Sequence, residues 1–205
     1  IKLDPYDIKR LTEATGKSFE QLLANEVELN VVDGMILPNI KMVDGHCPFL
    51  NDEGRCGIHG GRPGFCRLFP LGRYYEEDGG FRYFLQVHEC DRAGHAKVKV
   101  NKWIDTPEPA RYDRYVADWH KFQKDIKIKV IGALFGTDHL DDQSTSGAPA
   151  TSGMSEEDVA IAEETARNIS MLVLNTLYIT RYEESKDFYQ QFYGRLARIR
   201  DMLGV

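Results

Sequence analysis

Apolar residues recur at spacings of three and four in the second half of this chain, the signature of amphipathic helices. Tyr112, Tyr115, Val116, Trp119, Phe122, Ile126 and Val130 line one wide face of a helix predicted to begin at Thr106-Pro107 and to end at Gly136. Ser155, with Asp158 three residues on, opens a second helix that continues to about Tyr182 through the apolar run "ISMLVLNTLYI" at 169–179. A third, from about Lys186 to Met202, carries Phe188, Phe192, Leu196, Ile199 and Leu203 on one face. Between the first two lies "DDQSTSGAPATSG" at 141–153, small and polar, which reads as a linker.

The first half is patterned differently. Asp4 can cap a short helix, Pro5 suits its first turn, and Gly16 stops it. Ser18 opens another, with Gln21 as capping-box partner and Phe19, Leu22, Leu23 and Val27 as its apolar stripe. Residues 31–46 are extended with turn residues between, room for one or two strands. Two aromatic, β-prone runs in "LGRYYEEDGGFRYFLQV" surround Asp78-Gly79-Gly80, a hairpin signal. The expected fold class is α+β and mainly α: a small cysteine-rich region with irregular loops and a β-hairpin over 1–105, then a helical region over 106–205.

Composition narrows the function classes. With 205 residues, 42% hydrophobic and 28% charged, the chain can bury a core without covalent staples, so a metal site would not be its sole source of folding energy. The net charge is −6 and the basic residues form no long block, which argues against nucleic acid as a partner. No apolar run approaches the roughly 18–20 residues of a membrane span. The sequence starts at Ile1 without a secretory leader pattern, so a cytoplasmic location is expected, along with residues upstream of Ile1.

The chemistry is concentrated in "CPFLNDEGRCGIHGGRPGFCRLFPLGR", from Cys47 to Arg73. Cys47, Cys56 and Cys66 fall within twenty residues, and Cys90 follows in a C-x8-C-x9-C-x23-C spacing. The predicted hairpin would lead the chain away from Cys66 and back to Cys90. Four readings stay open. Disulfides suit an even count, but four cysteines in 205 residues are no disulfide scaffold. Plain burial suits free cysteine, but these sit among Gly, Pro, Asp and Asn, off any helix or strand period. A reactive thiolate at Cys66 would be favoured by Arg67 and Arg62, yet it leaves three cysteines unexplained.

Metal or cluster ligation accounts for most of the pattern. Thiolates suit zinc and iron–sulfur clusters, and a four-thiolate site carries negative charge that backbone N–H groups and arginines must offset. Gly57, Gly60, Gly61 and Gly64 let the backbone approach sulfur, and Arg62, Arg67 and Arg73 can supply the charge or receive an anionic partner. His46, His59, His88 and His95 flank the cysteines and are weaker ligand candidates. The spacing is neither a zinc-finger nor a ferredoxin pattern.

The same segment closely resembles the YkgJ-type cysteine-cluster family, bacterial and archaeal proteins described as carrying a zinc- or iron-chelating domain. The matching phrase is Cys47, Phe49-Leu50, Asn51 to Glu53, Gly54, Cys56, Arg62-Pro63, Cys66, Arg67 and Phe69-Pro70. The opening "IKLDPYDIKRLTEATGKSFEQLL" and the later "CDRAGH" at Cys90 are also similar, so the resemblance covers about residues 1–95. The family's further cysteines ahead of this segment have no counterpart in the sequence: either they lie upstream of Ile1 and share the site, or Cys47, Cys56, Cys66 and Cys90 form a complete ligand set, which is the expectation adopted.

The resemblance implies metal binding, with an iron–sulfur cluster ahead of zinc, a redox or electron-transfer role, and an unidentified protein or redox partner. A closed zinc site would instead be structural. Relatives include proteins labelled oxidoreductases and flagellin lysine N-methylases. A motif alone does not transfer either activity, and no glycine-rich donor loop is found in 106–205.

Overall fold

The computed structural model describes residues 1–32, 34–87, 89, 97–135 and 155–205. The expected linker at 141–153, along with Cys90, His88 and His95, lies outside the described residues. The fold is mainly α with two small β-hairpins. No helix among the described residues is long and apolar enough to cross a membrane.

The chain forms two compact units of interleaved sequence, Ile1–Glu26 with Ile40–Phe122, and Val27–Asn39 with Gln123–Val205. The division at residue 105 read from the sequence separates stretches of chain. The boundary between the compact units falls within one helix, after Phe122. Packing groups residues by which apolar faces meet, a relation that linear composition does not record.

In the first unit, α1 (Pro5–Thr15) starts on a capping box. The Asp4 carboxylate accepts the Asp7 N–H at 2.8 Å, and Asp7 accepts the Asp4 N–H at 3.1 Å. Gly16 ends the helix at φ 68°, in the left-handed region where a side chain would be strained. The helix α2 (Phe19–Asn25) opens on a second box, Ser18 with Gln21. Two short helices went unread in the sequence, α3 (Gly64–Leu68) and α4 (Val100–Ile104). At five residues each, they are too short to display a period. Between them runs the hairpin β3 (Leu71–Tyr75) and β4 (Phe81–Leu85), antiparallel, with Arg73 opposite Tyr83.

The long helix α5 (Pro109–Phe135) starts later than Thr106-Pro107 because Asp105 and Glu108 both take positive φ, 49° and 50°, breaking the path from α4. Its predicted face is buried throughout: Tyr112, Tyr115, Val116, Trp119 and Phe122 in the first unit, Ile126 and Val130 in the second.

The second unit takes the hairpin β1 (Val27–Val32) and β2 (Met35–Ile40, whose last residue falls in the first unit), α6 (Glu156–Leu174) and α7 (Phe188–Leu203). A side chain at Gly34 would collide with Val130, so the β1–β2 turn lies against that part of α5. The Ile36 N–H donates to the Ser170 hydroxyl of α6 at 2.5 Å. The α-helix after Ser155 stops at Leu174 and continues as one π-type turn, Asn175–Ile179. Arg195 of α7 secures that end, donating to the carbonyls of Thr176 (3.1 Å), Thr180 (2.5 Å) and Arg181 (2.7 Å), with its guanidinium 3.8 Å from the Tyr182 ring centroid. Phe192 and Ile199 of α7 are fully buried.

Candidate metal centre

Cys47 and Cys56 sit on the two arms of one tight turn. Asn51 makes the turn: its N–H donates to the Arg55 carbonyl at 2.8 Å, and its side-chain oxygen accepts the N–H groups of Glu53 and Arg55 at 3.1 and 2.8 Å. Gly54 takes φ 72° at the tip. Leu50 and Cys56 form an antiparallel bridge, and the Gly57 N–H donates to the Phe49 carbonyl at 2.8 Å. The run "CPFLNDEGRC" is therefore a miniature hairpin that carries two cysteines nine positions apart on its two arms.

One face of α1 supports the rest of the cysteine segment. Asp7, Arg10 and Ala14 are spaced by three and four, so they point the same way. Arg10 donates to the Gly60 carbonyl. A Cβ on Gly61 would strike Ala14, so the short 3₁₀ turn His59–Gly61 rests directly on the helix. Asp7 accepts the Gly64 N–H at 2.7 Å, at the start of the helix that carries Cys66. A Cβ on Gly64 would run into the Tyr112 hydroxyl, which fixes how closely α3 approaches α5.

Cys47, Cys56 and Cys66 are all free and half-buried. Burial pushes the Cys66 thiol up from 9.0 to about 11, and the negative Asp7, Cys47 and Cys56 nearby push in the same direction, while Arg62 opposes them. The three cysteines thus share one electrostatic neighbourhood. Asp7 is itself raised well above the usual carboxyl range, first by burial and then by Asp4. Among the described residues, no three His, Cys, Asp or Glu side chains are drawn together tightly enough to hold a metal ion. The donor set fits zinc or iron in its chemistry, three soft sulfur donors around a glycine-rich backbone.

The arginines divide by role. Arg62 is a cation that acts on Cys66, and its buried Nε has no hydrogen-bond partner among the described residues. Arg67, read from the sequence as a charge beside the centre, is 4% exposed and spends its guanidinium on backbone carbonyls. Its Nε donates to Arg62 at 3.0 Å and its Nη1 to Ile104 at 3.2 Å, with further bonds to Asp105 and Gly60. It ties the 60–62 turn and α3 to the end of α4. Arg73 is enclosed by the rings of Phe81, Tyr83 and Tyr112, at 5.4–5.7 Å.

His46 is exposed and its Nδ1 meets the Asp44 carbonyl at 2.8 Å, while His59 is exposed in the 3₁₀ turn. Asp7 and Arg10 were not singled out in the sequence as parts of the site. Asp7 was visible as a capping residue, but nothing local connects it to a glycine 57 positions away.

Comparison with known families gives a match over the first part of the chain. A family model named CxxCxxCC, described as "Putative zinc- or iron-chelating domain", matches residues 1–91. The matched stretch includes α1, the cysteine turn, α3 and the β3–β4 hairpin. No curated protein and no solved structure matches the chain.

Proposed function

We propose that residues 1–91, which match the model of a zinc- or iron-chelating domain, hold one metal centre through Cys47, Cys56, Cys66 and Cys90. An iron–sulfur cluster is the favoured occupant and zinc the alternative. The observation that carries this reading is three free, half-buried thiols carried on the two arms of one turn and on the short helix that follows it in the matched segment.

A cluster supplies one-electron transfer when bound, and the protein would then serve a redox or electron-transfer role. Zinc held by four thiolates would leave no position for water and would be structural. The chain's own residues prepare the site in either case. Asp7 and Arg10 set α3 and the 59–61 turn on α1, and Arg67 locks the loop carbonyls. Arg62 offsets thiolate charge at Cys66. The raised Cys66 thiol means that loading the site releases a proton there. We place the protein in the cytoplasm on the same reading, since thiols stay reduced in that compartment.

The test is elemental analysis with acid-labile sulfide and a visible spectrum on protein purified without oxygen, for the parent chain and for Cys→Ser variants at 47, 56, 66 and 90. Iron with sulfide and a broad visible band, lost in each variant, is the expected result. One zinc per chain and no colour would replace the redox role with a structural one. Neither metal would overturn the ligation reading.

A further inference from the structure

Three arginines gather at the 59–62 turn, and two of them are already engaged. Arg10 reaches from α1 to the Gly60 carbonyl. Arg67 donates to the carbonyls of Gly60, Arg62, Ile104 and Asp105. Arg62 is different, because its Nε–H is buried and meets no acceptor among the described residues. A buried donor in that position has lost water and gained nothing in return. The three cations also crowd one another: burial first, then Arg10 and Arg62, push the Arg67 guanidinium below its usual range.

The place of Arg62 in the chain shows where the missing acceptor belongs. Arg62 lies between Cys56 and Cys66, at the end of the His59–Gly61 turn and two residues before the helix that carries Cys66. The thiols are not drawn together tightly enough among the described residues to hold an ion, so loading rearranges this same stretch. Nearby backbone donors cannot stand in for Arg62. The N–H groups of Gly57, Gly61 and Gly64 are bonded to the Phe49 carbonyl (2.8 Å), the Ile58 carbonyl (2.8 Å) and the Asp7 carboxylate (2.7 Å), and the Arg62 N–H itself meets the His59 carbonyl at 3.5 Å.

The chemistry of the two occupants then separates them. A zinc ion adds no acceptor atom to a site of four thiolates. An iron–sulfur cluster brings inorganic sulfides, anionic acceptors that the chain does not possess, and hydrogen bonds to its sulfurs help to set its potential. We infer that Arg62 donates its Nε–H to a sulfide of the bound centre, and that this donor suits the site to an iron–sulfur cluster over zinc. The inference rests on the proposed metal site and deepens it, by naming the residue that discriminates between its two occupants. Reduction adds an electron to the acceptor and strengthens such a bond, so the donor raises the midpoint potential.

The experiment compares the parent chain with Arg62→Gln and Arg62→Lys, all purified without oxygen. Iron, sulfide and zinc are measured on each, and the visible band is followed through a dye-mediated redox titration. The parent should hold iron with sulfide. The midpoint of Arg62→Gln should fall by about 59 mV, a tenfold loss in the one-electron reduction constant. Arg62→Lys keeps the charge but lacks the planar fork, and its midpoint should fall well short of the parent's. Replacement of the cluster by zinc in Arg62→Gln would support the assignment equally.

Urea unfolding of metal-free protein separates this role from a structural one. The Nε–H makes no bond there and the charge stands against Arg67, so Arg62→Gln should unfold at the parent's midpoint or above it. A lower midpoint would overturn the inference. So would one redox potential shared by all three proteins, or an Arg62→Lys potential equal to the parent's, which would leave charge alone as the cause. Zinc, or iron without sulfide, in the parent would overturn it while leaving the four-cysteine site standing. Neither metal would overturn both.

Discussion

Replacing Arg67 by methionine should cost the first unit about 3 kcal/mol, far more than removal of a surface arginine would. Arg67 is 4% exposed and its guanidinium donates to four backbone carbonyls, those of Gly60, Arg62, Ile104 and Asp105. No carboxylate pairs with it among the described residues, so the loss is one of hydrogen bonds rather than of an ion pair. A buried carbonyl left without its donor costs about 1 kcal/mol or more. Four such losses come to about 4 kcal/mol. Burial of the methionine side chain returns about 1 kcal/mol of this. Lysine in its place keeps the charge but lacks the planar fork, and it should recover only part of the loss.

The assay is urea unfolding followed by tryptophan fluorescence. Trp103 and Trp119 both belong to the first unit, so the signal reports on that unit. With a slope of about 1.5 kcal/mol per molar, the midpoint should fall by about 2 M. Arg67→Met protein unfolding within about 1 kcal/mol of the parent would refute the assignment of Arg67 as a carbonyl clamp.

Other consequences are equally direct. In metal-free folded protein at pH 8, Cys66 should alkylate about 100 times more slowly than in urea, because a thiol pushed from 9.0 to about 11 is far less ionised; equal rates by mass spectrometry would contradict the burial. The same shift sets a sign for stability. A thiol whose pKa is higher folded than unfolded contributes fully below pH 9.0 and loses that contribution as pH rises toward about 11, so urea midpoints of metal-free protein should fall across that window and flatten in Cys66→Ser. Gly64→Ala should cost about 1–3 kcal/mol, since its methyl would meet the Tyr112 hydroxyl; a neutral result would mean that α3 can move away freely. Phe192→Ala, at a position with no exposure in the second unit, should lose about 3–5 kcal/mol by calorimetry while leaving metal content intact. A loss below about 1 kcal/mol would contradict its burial.

Much of this protein was determined by local chemistry that needs no third dimension. Asp4 with Asp7 and Ser18 with Gln21 cap helices because each pair satisfies backbone donors within one turn. Tyr112 through Val130 bury one face because the period of the helix aligns them. The Asp78-Gly79-Gly80 turn closes β3 on β4, and the cysteine phrase carries its own turn chemistry at Asn51 and Gly54. These features are short in range, so residue order suffices.

Tertiary structure decided the rest. The same Asp7 that caps α1 also holds α3, 57 positions away, and Arg67 turns from the cysteines to the carbonyls of four other residues. The β1–β2 hairpin leaves its sequence neighbours to pack in the second unit, against Ser170 and Val130. Each outcome depends on which donors and apolar faces remain unsatisfied after the local elements have formed. Those are met by whatever the fold brings within about 3 Å, a relation between distant residues that no window of sequence contains.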